Sequence, residues 1–480
     1  MKITKICCIG AGYVGGPTMA VIAAKCPEIK VTVVDKSEEK IRMWNSKNLN
    51  EIPVFEPGLK EILSEVRNKN LFFSSDIESS VDESEMIFIA VNTPTKTSGK
   101  GKGMAADLSN VISTAREIAE FSKSDKIIVE KSTLPVRTAE KLKEILSLTN
   151  KRVKFEILSN PEFLAEGTAI QDLYKSDRVL IGGDQTKTGQ IAVESLVNIY
   201  KKWVPENKIL RTNVWSSELS KLVSNAMLAQ RISSINSLSA LCEKTGADIN
   251  EISKAVGMDS RIGKDFLKPS VGFGGSCFQK DILNLVYIAR SYGLDEVADY
   301  WHQVIRINDY QKQRFATSII KLIGDKKNNP KVSVLGWAFK QNTNDSRESA
   351  SIYVTDILLK SKISVNVYDP LVPSDKIILD LTQLWLFQKI PKDKVDSLLK
   401  MIKVKDNYVD AIKDSSFNEM HRMEKDNLFS VPRLAPGDCK NPESYKIRRG
   451  VVGGHKEYLS KKEINQLNLK MEKLNCAFYS

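Results

Sequence analysis

Lys5-Ile6-Cys7-Cys8-Ile9-Gly10-Ala11-Gly12-Tyr13-Val14-Gly15-Gly16 decides the fold of this chain. Its first half is a short, continuously apolar run, the pattern of a strand buried on both faces. Its second half is a G-x-G-x-x-G. The run Pro17 to Ala24 then reads as a helix, and Val31-Thr32-Val33-Val34 as a second strand ending at Asp35. Strand, Gly-rich turn, helix, strand and acid together form a dinucleotide-binding fingerprint. Gly10 and Gly12 permit the turn and close approach to a pyrophosphate, and Gly15 permits tight helix–strand packing. The helix start offers N–H donors and a positive dipole end, and Tyr13 and Val14 in the turn are cofactor-binding candidates with the glycines. Asp35 stands where a carboxylate accepts from both ribose hydroxyls and repels a 2′-phosphate, so NAD is expected rather than NADP.

Further strands follow, each stopping at a polar loop. Met86 to Val91 runs into Asn92-Thr93-Pro94-Thr95, Ile127-Ile128-Val129 into Glu130-Lys131-Ser132-Thr133, and Phe155 to Leu158 into Ser159-Asn160-Pro161-Glu162. Ligands of an open parallel sheet bind at the carboxyl ends of its strands, so these loops are candidate contacts. Singly each is also an ordinary polar turn.

Composition narrows the class. With 480 residues the chain holds two or three domains; 42% hydrophobic and 27% charged residues suit a soluble globular protein. No stretch has the length of a signal peptide's apolar core or a membrane span. Seven cysteines without regular spacing imply reduced thiols and a cytoplasmic home, with Cys7 and Cys8 in the core rather than on a metal. Only three histidines leave little for a His triad or zinc site, and no metal is expected. The net charge of +12 is scattered among acids, without the aromatic interleaving of nucleic-acid binders. Phosphate-bearing small molecules are its expected use; neither nucleic acid nor membrane is expected as a partner.

In the middle of the chain, Trp215 to Thr245 reads as one long helix, with Lys221 and Asn225 one turn apart; a solvent-facing polar stripe has the same spacing. Ala247 to Gly257 reads as another helix. Then comes Gly272-Phe273-Gly274-Gly275-Ser276-Cys277-Phe278-Gln279-Lys280-Asp281. Ser276 is a candidate N-cap for a helix through Ala289, which puts Cys277 in its first turn near Lys280. A helix N-terminus and a cation both favour a thiolate nucleophile. The competing reading is a buried structural cysteine.

These motifs, in this order, closely resemble the UDP-glucose 6-dehydrogenase family of the animal type, from Lys5 to about Asp414. The resemblance implies an α/β chain: a Rossmann-type NAD domain (1–213), a central long-helix dimerisation domain (214–328), a truncated Rossmann-like UDP-sugar domain (329–414) and an irregular basic tail (415–480). It implies four-electron oxidation of UDP-glucose to UDP-glucuronate with NAD, through a thiohemiacetal and a thioester on Cys277. Lys221 would assist proton transfer and stabilise the oxyanion beside Asn225. Asp281 and Thr133 would position water, and Glu162 would act as base. Val91, Asn92, Thr93, Pro94, Thr95, Ser132, Glu166, Lys280 and Arg347 would join the fingerprint in holding the cofactor, with Lys40 at a position where the family commonly has Arg. The substrate would meet Glu162, Phe163, Leu164, Ala165, Glu166, the loop with Phe266, Leu267, Lys268, Phe273 and Gly274, and Phe339 and Lys340. Arg261 would reach in from a neighbouring subunit of a dimer-based homo-oligomer.

After Val409-Asp410-Ala411-Ile412 the family's remaining strands and its Gly-Arg-Arg substrate contact are missing, and Ile377-Ile378-Leu379 is the one further strand-like run. Each lost charge-assisted bond is worth roughly 1.5–3 kcal/mol. Ser415 to Met420 and Lys446 to Lys456 resemble instead the C-terminal end of a cytosolic sulfotransferase, where an Arg-Lys-Gly stretch holds a 3′-phosphate; Arg448-Arg449-Gly450 stands there. The rest of a sulfotransferase site has no counterpart, which argues against sulfotransfer. Two alternatives to the dehydrogenase therefore stand: a catalytically impaired or inactive NAD-binding, oligomerising subunit, and a module for adenosine 3′,5′-bisphosphate at the tail.

Overall fold

The computed structural model of the chain describes residues 2–324 and 330–405. The first sheet has eight strands. They are β1 (Lys5–Ile9), β2 (Lys30–Val34), β3 (Leu71–Ser74), β4 (Met86–Ile89), β5 (Lys126–Glu130), β6 (Phe155–Ser159), β7 (Val179–Gly183) and β8 (Ile209–Asn213). The order is β3-β2-β1-β4-β5-β6-β7-β8, parallel except where β6 meets β7. The chain therefore leaves β1 in one direction and returns to its other side at β4. That switch point opens a crevice at the carboxyl ends of β1 and β4.

Helices cover both faces: α1 (Gly15–Lys25), α2 (Glu38–Trp44), α3 (Leu59–Val66), α4 (Ile77–Glu83), α5 (Ser109–Phe121), α6 (Thr138–Thr149), α7 (Ala169–Tyr174) and α8 (Lys187–Tyr200). The pleat sorts β1 between them. Ile6 and Cys8 pack with α1, α3 and α8, whereas Cys7 and Ile9 pack with α5 and α6. The adjacent cysteines thus sit in two different cores, which accounts for their burial without any metal. Burial pushes the Cys8 thiol up to about 12.

α9 (Val214–Thr245) crosses from this sheet into a helical layer with α10 (Ile249–Gly257), α11 (Phe278–Ser291) and α12 (Asp295–Ile323). Beyond it, β9 (Lys331–Leu335), β10 (Ser364–Tyr368) and β11 (Ile402–Val404) form a parallel sheet in the order β11-β10-β9. It packs with α13 (Ala350–Lys360), α14 (Ser374–Phe387) and α15 (Lys392–Leu399). Its core is built on two buried indoles whose N–H groups are satisfied by carboxylates: Trp337 donates to Asp380 at 3.0 Å and Trp385 to Asp356 at 2.8 Å.

Several expectations are corrected. Ile377-Ile378-Leu379 lies inside α14: Ile377, Asp380, Leu381 and Trp385 share its buried face at helical spacing, so the apolar triplet is helix. Ile402–Val404 is a strand that its shortness concealed. Ser276 is not the cap of α11; Cys277 itself occupies the N-cap, with no side-chain capping bond. Lys221 and Asn225 do not face solvent, being 8% and 6% exposed. Residues 415–480, for which a likeness to a sulfotransferase is expected, lie outside the described residues and are not tested by them.

The fingerprint glycines are dictated by contact distances. A Cβ on Gly15 would stand 2.0 Å from the Gly10 carbonyl oxygen, and one on Gly10, at φ +114°, would stand 2.4 Å from that of Ala90. Gly15→Ala is expected to cost about 2 kcal/mol through overpacking. Thermal unfolding followed by circular dichroism checks this, and an unchanged Tm would contradict the packing account.

Candidate active site

One cavity of about 2550 Å³ runs from the β1–β4 switch point, past the start of α11, to the second sheet. At its first end stand Gly10, Gly12, Tyr13, Val14 and Asp35. Nothing lies within 4 Å of where a Gly12 Cβ would be, so this backbone is open to a close ligand. Asp35 accepts the Ala11 N–H at 3.0 Å and the Lys40 ammonium at 2.8 Å through one oxygen, and the Ser37 N–H through the other. Burial opposes its charge, but Lys40 and these N–H groups outweigh it and hold the carboxyl below its ordinary range. Lys40 makes one bond here where an arginine fork could make two. Open glycine backbone, a helix N-terminus and a fixed carboxylate fit a dinucleotide.

Val91, Asn92, Thr93, Pro94 and Thr95 continue the wall with Ser132 and Thr133. The Ser132 hydroxyl donates to the Val91 carbonyl at 2.6 Å, and Thr93 Oγ1 to that of Thr133 at 3.1 Å, tying the loops after β4 and β5 together. Lys280 Nζ reaches the Thr93 carbonyl and hydroxyl, each at 3.4 Å.

At the middle of the cavity Cys277 is exposed at the start of α11. One turn on, the buried Asp281 accepts a 2.6 Å bond from Asn225 Nδ2. Lys221, one turn before Asn225 on α9, completes the group. Burial lowers its pKa and Arg178 lowers it further, against the opposing pull of Cys277, Asp281 and Glu162.

Glu162 is gripped on several sides. Lys131 Nζ lies 2.8 Å from Oε2, and Oε1 accepts the N–H groups of Phe163 and Leu164. Lys131 is fixed in turn by Asn160 Oδ1 at 3.1 Å and the Tyr200 hydroxyl at 3.3 Å. Burial alone would neutralise Glu162, but Lys131 outweighs it and keeps the pKa below its usual value. The ionised form of Glu162 is thereby favoured.

The far end is closed by the second sheet's domain. Gly274 and Gly275 lie against Glu348 and Phe339, where added Cβ atoms would meet the Glu348 carbonyl oxygen at 2.5 Å and the Phe339 ring at 2.9 Å. Phe163, Leu164, Ala165, Phe266, Lys268, Phe273, Phe339 and Lys340 line this end. Leu267 turns into the core instead, at 7% exposure, and Arg261 pairs with Asp259 on the surface, outside this chain's cavity. Glu166 meets Arg347 Nη2 at 3.3 Å, and Arg347 is also bound to Asp345 at 2.7 Å. Burial first, then Asp345, raise the Glu166 carboxyl to about 7.

Four positions escaped the reading of individual residues as site groups. Lys131 was inside a quoted strand-end loop, so a signal existed. Arg178 and Tyr200 come from segments with no motif. Glu218 on α9 is the fourth. It accepts the N–H groups of Arg137 and Ala139, each at 2.7 Å, at the start of α6. Glu130, 1% exposed at the end of β5, faces it. Burial pushes both carboxyls upward, and the α6 N–H groups pull Glu218 back down. Glu130, which burial and the facing Glu218 both push upward, is therefore the carboxyl of the pair less disposed to ionise. Through the α6 N–H groups Glu218 ties the far end of the loop bearing Lys131, Ser132 and Thr133 to α9.

The sequence matches the UDP-glucose/GDP-mannose dehydrogenase family in three consecutive parts: its NAD binding domain at residues 4–204, its central domain at 215–310 and its UDP binding domain at 333–428. The third match continues past the Asp414 limit expected from the motifs. The chain is 59% identical over 379 residues to UDP-glucose 6-dehydrogenase of Drosophila melanogaster, covering 79% of each sequence. It is 58% identical over 380 residues to UDP-glucose 6-dehydrogenase 1 of Glycine max, covering 79% of this chain and 78% of the relative. A UDP-glucose dehydrogenase structure from Pyrobaculum islandicum superposes with TM-score 0.73 at 29% identity, over 86% of this chain and 88% of that one.

Glu130→Gln removes an ionisable carboxyl whose charge burial and Glu218 both oppose, and is expected to leave Tm nearly unchanged. Glu218→Leu strands buried N–H groups at about 1–3 kcal/mol each, so a loss of roughly 3 kcal/mol is expected in denaturant unfolding. Equal losses in both variants would contradict this division of roles. Glu166 carries the opposite linkage to a salt-bridged acid. Its folded pKa is raised from 4.5 to about 7, so its contribution is full below pH 4.5 and is lost as pH rises through about 7. Tm measured against pH should show this fall in wild type and not in Glu166→Gln.

Proposed function

The chain belongs to the UDP-glucose/GDP-mannose dehydrogenase family, and on that premise we propose that it oxidises UDP-glucose to UDP-glucuronate with NAD. The observation that carries the proposal is the convergence of Cys277, Lys221, the Asn225–Asp281 pair and Glu162 on one cavity from three separate parts of the chain. Gly10, Gly12, Tyr13, Val14, Asp35 and the loops after β4 and β5 would hold NAD, which when bound would supply the hydride acceptor for each of two oxidations.

The chain's own residues divide the remaining work. The Cys277 sulfur adds to the carbon of the aldehyde-level sugar, and the carbonyl oxygen takes a proton to give a thiohemiacetal. Lys221, buried and shifted toward its neutral form, receives and returns that proton, and as an ammonium it stabilises negative charge on the oxygen. Loss of a second hydride leaves a thioester, and water cleaves the C–S bond to release the carboxylate and restore the thiol. Asp281, held by Asn225, and Thr133 orient that water. Glu162, kept ionised by Lys131, aligns it more than it deprotonates it.

At the substrate end, Phe339, Lys340, Phe266, Lys268 and the Phe163–Ala165 loop surround the nucleotide-sugar, with Glu166 and Arg347 at its junction with the cofactor. Arg261, exposed in one chain, suits a contact across a dimer. Exposed Leu241 on α9 and Tyr310 and Phe315 on α12 support association through the central helices. Buried reduced thiols favour the cytoplasm, and among the described residues no helix is long and apolar enough to cross a membrane. The impaired-subunit reading rested on a site cut short near Asp414. The described residues already bring Phe339 and Lys340 to the cavity, and the UDP binding match extends to residue 428. The tail's resemblance to a sulfotransferase plays no part in this reading.

The purified chain with UDP-glucose and excess NAD is expected to form two NADH per sugar. Cys277→Ala should lower steady-state turnover by about a thousandfold or more. One NADH per sugar, or none from folded NAD-binding protein, would sink the proposal.

A further inference from the structure

Arg178 is a cation of the cavity wall that the mechanism above leaves without a task. It lies between α7 and β7, and its guanidinium carbon stands 3.9 Å from the centre of the Phe163 ring. The Lys221 ammonium stands 5.3 Å from the centre of that same ring. Arg178 Nη2 also reaches the Ser224 hydroxyl on α9 at 3.4 Å, beside Asn225. One side chain thus touches both the loop after β6 and the helix that carries Lys221. Phe163 is itself anchored, since its N–H donates to Glu162 at 2.8 Å.

We propose that Arg178 is a positioning residue for Lys221: through the shared Phe163 ring it fixes the lysine's approach to Cys277 and places a second positive charge beside it. The inference rests on the reading of Lys221 as the group that exchanges a proton with the substrate oxygen. The groups facing Lys221 are Cys277 and Asp281 from α11, Glu162 from the loop after β6, and Arg178. The first three favour the ammonium, and left alone they would hold the proton too firmly for exchange. Burial and the like charge of Arg178 work against them. A neutral residue at 178 removes that counterweight, so the Lys221 ammonium persists to higher pH.

The test is competitive acylation of the full chain with acetic anhydride across pH, reading the Lys221 peptide by mass spectrometry in wild type, Arg178→Met and Arg178→Lys. Arg178→Met is expected to move the Lys221 midpoint to higher pH and to slow its acylation at pH 8 several-fold. Arg178→Lys, which keeps the charge, should hold the wild-type midpoint. If Arg178→Met does not fold, Arg178→Gln takes its place with the same expectation. In turnover, the neutral variants should lower kcat more than they raise KM. A Lys221 midpoint in Arg178→Met or Arg178→Gln equal to wild type would overturn the proposal, even with a lower Tm, because a purely structural residue would leave that midpoint in place. Labelling needs no turnover, so a chain that forms no NADH would defeat the proposed reaction and still give a reading on Arg178.

Discussion

One face of α9 holds the structure together where it matters. Ser217, Glu218, Lys221 and Asn225 all lie on its buried side. Ser217 donates to the Ser159 carbonyl at the end of β6, Glu218 receives the start of α6, and Asn225 donates to Asp281 on α11. A helix packed by apolar contacts alone can slide or rotate at modest cost. A helix whose buried polar groups each need one partner cannot, because every slip leaves a donor or acceptor unpaired. Lys221 inherits this fixity: its position relative to Cys277 follows from bonds made one turn before and one turn after it.

The same economy governs the charges along the cavity. Each is either paired or kept neutral, and the choice sets its use. Lys131 favours the anion of Glu162; burial and Asp345 raise the Glu166 carboxyl to about 7; burial and Glu218 disfavour the anion of Glu130, while Glu218 serves α6. Lys221 is the exception, buried among acidic groups and lowered all the same. A group whose opposing influences nearly balance can gain and lose a proton during a reaction, whereas a tightly paired one cannot.

Much of this was legible in the chain. The G-x-G-x-x-G between two apolar runs announced β1, α1 and β2 because steric demands at Gly10 and Gly15 act over a few residues. The polar loops after β4, β5 and β6 came to the cavity because parallel strands end together. What escaped depended on distant partners. Tyr200 on α8 meets Lys131 and Asn160 only after the sheet forms. Arg178 has no local pattern and gains meaning from Phe163. Ile377 to Leu379 looked like strand because a short apolar run carries no period; the buried face of α14 emerges only with Leu381 and Trp385 included. The solvent-facing alternative for Lys221 failed because α9 is covered by both the first sheet and α11, which helical spacing alone does not disclose.

The central claim is that Cys277 carries the sugar carbon between the two oxidations. Acid quenching of the wild-type chain during turnover with UDP-glucose and NAD, followed by intact-mass and peptide analysis, addresses it directly. The account predicts a transient adduct on the Cys277 peptide with the mass of a UDP-glucuronyl thioester, absent when NAD is omitted. Formation of two NADH per sugar with no adduct on that peptide at any quench time, or with the adduct elsewhere, would contradict it.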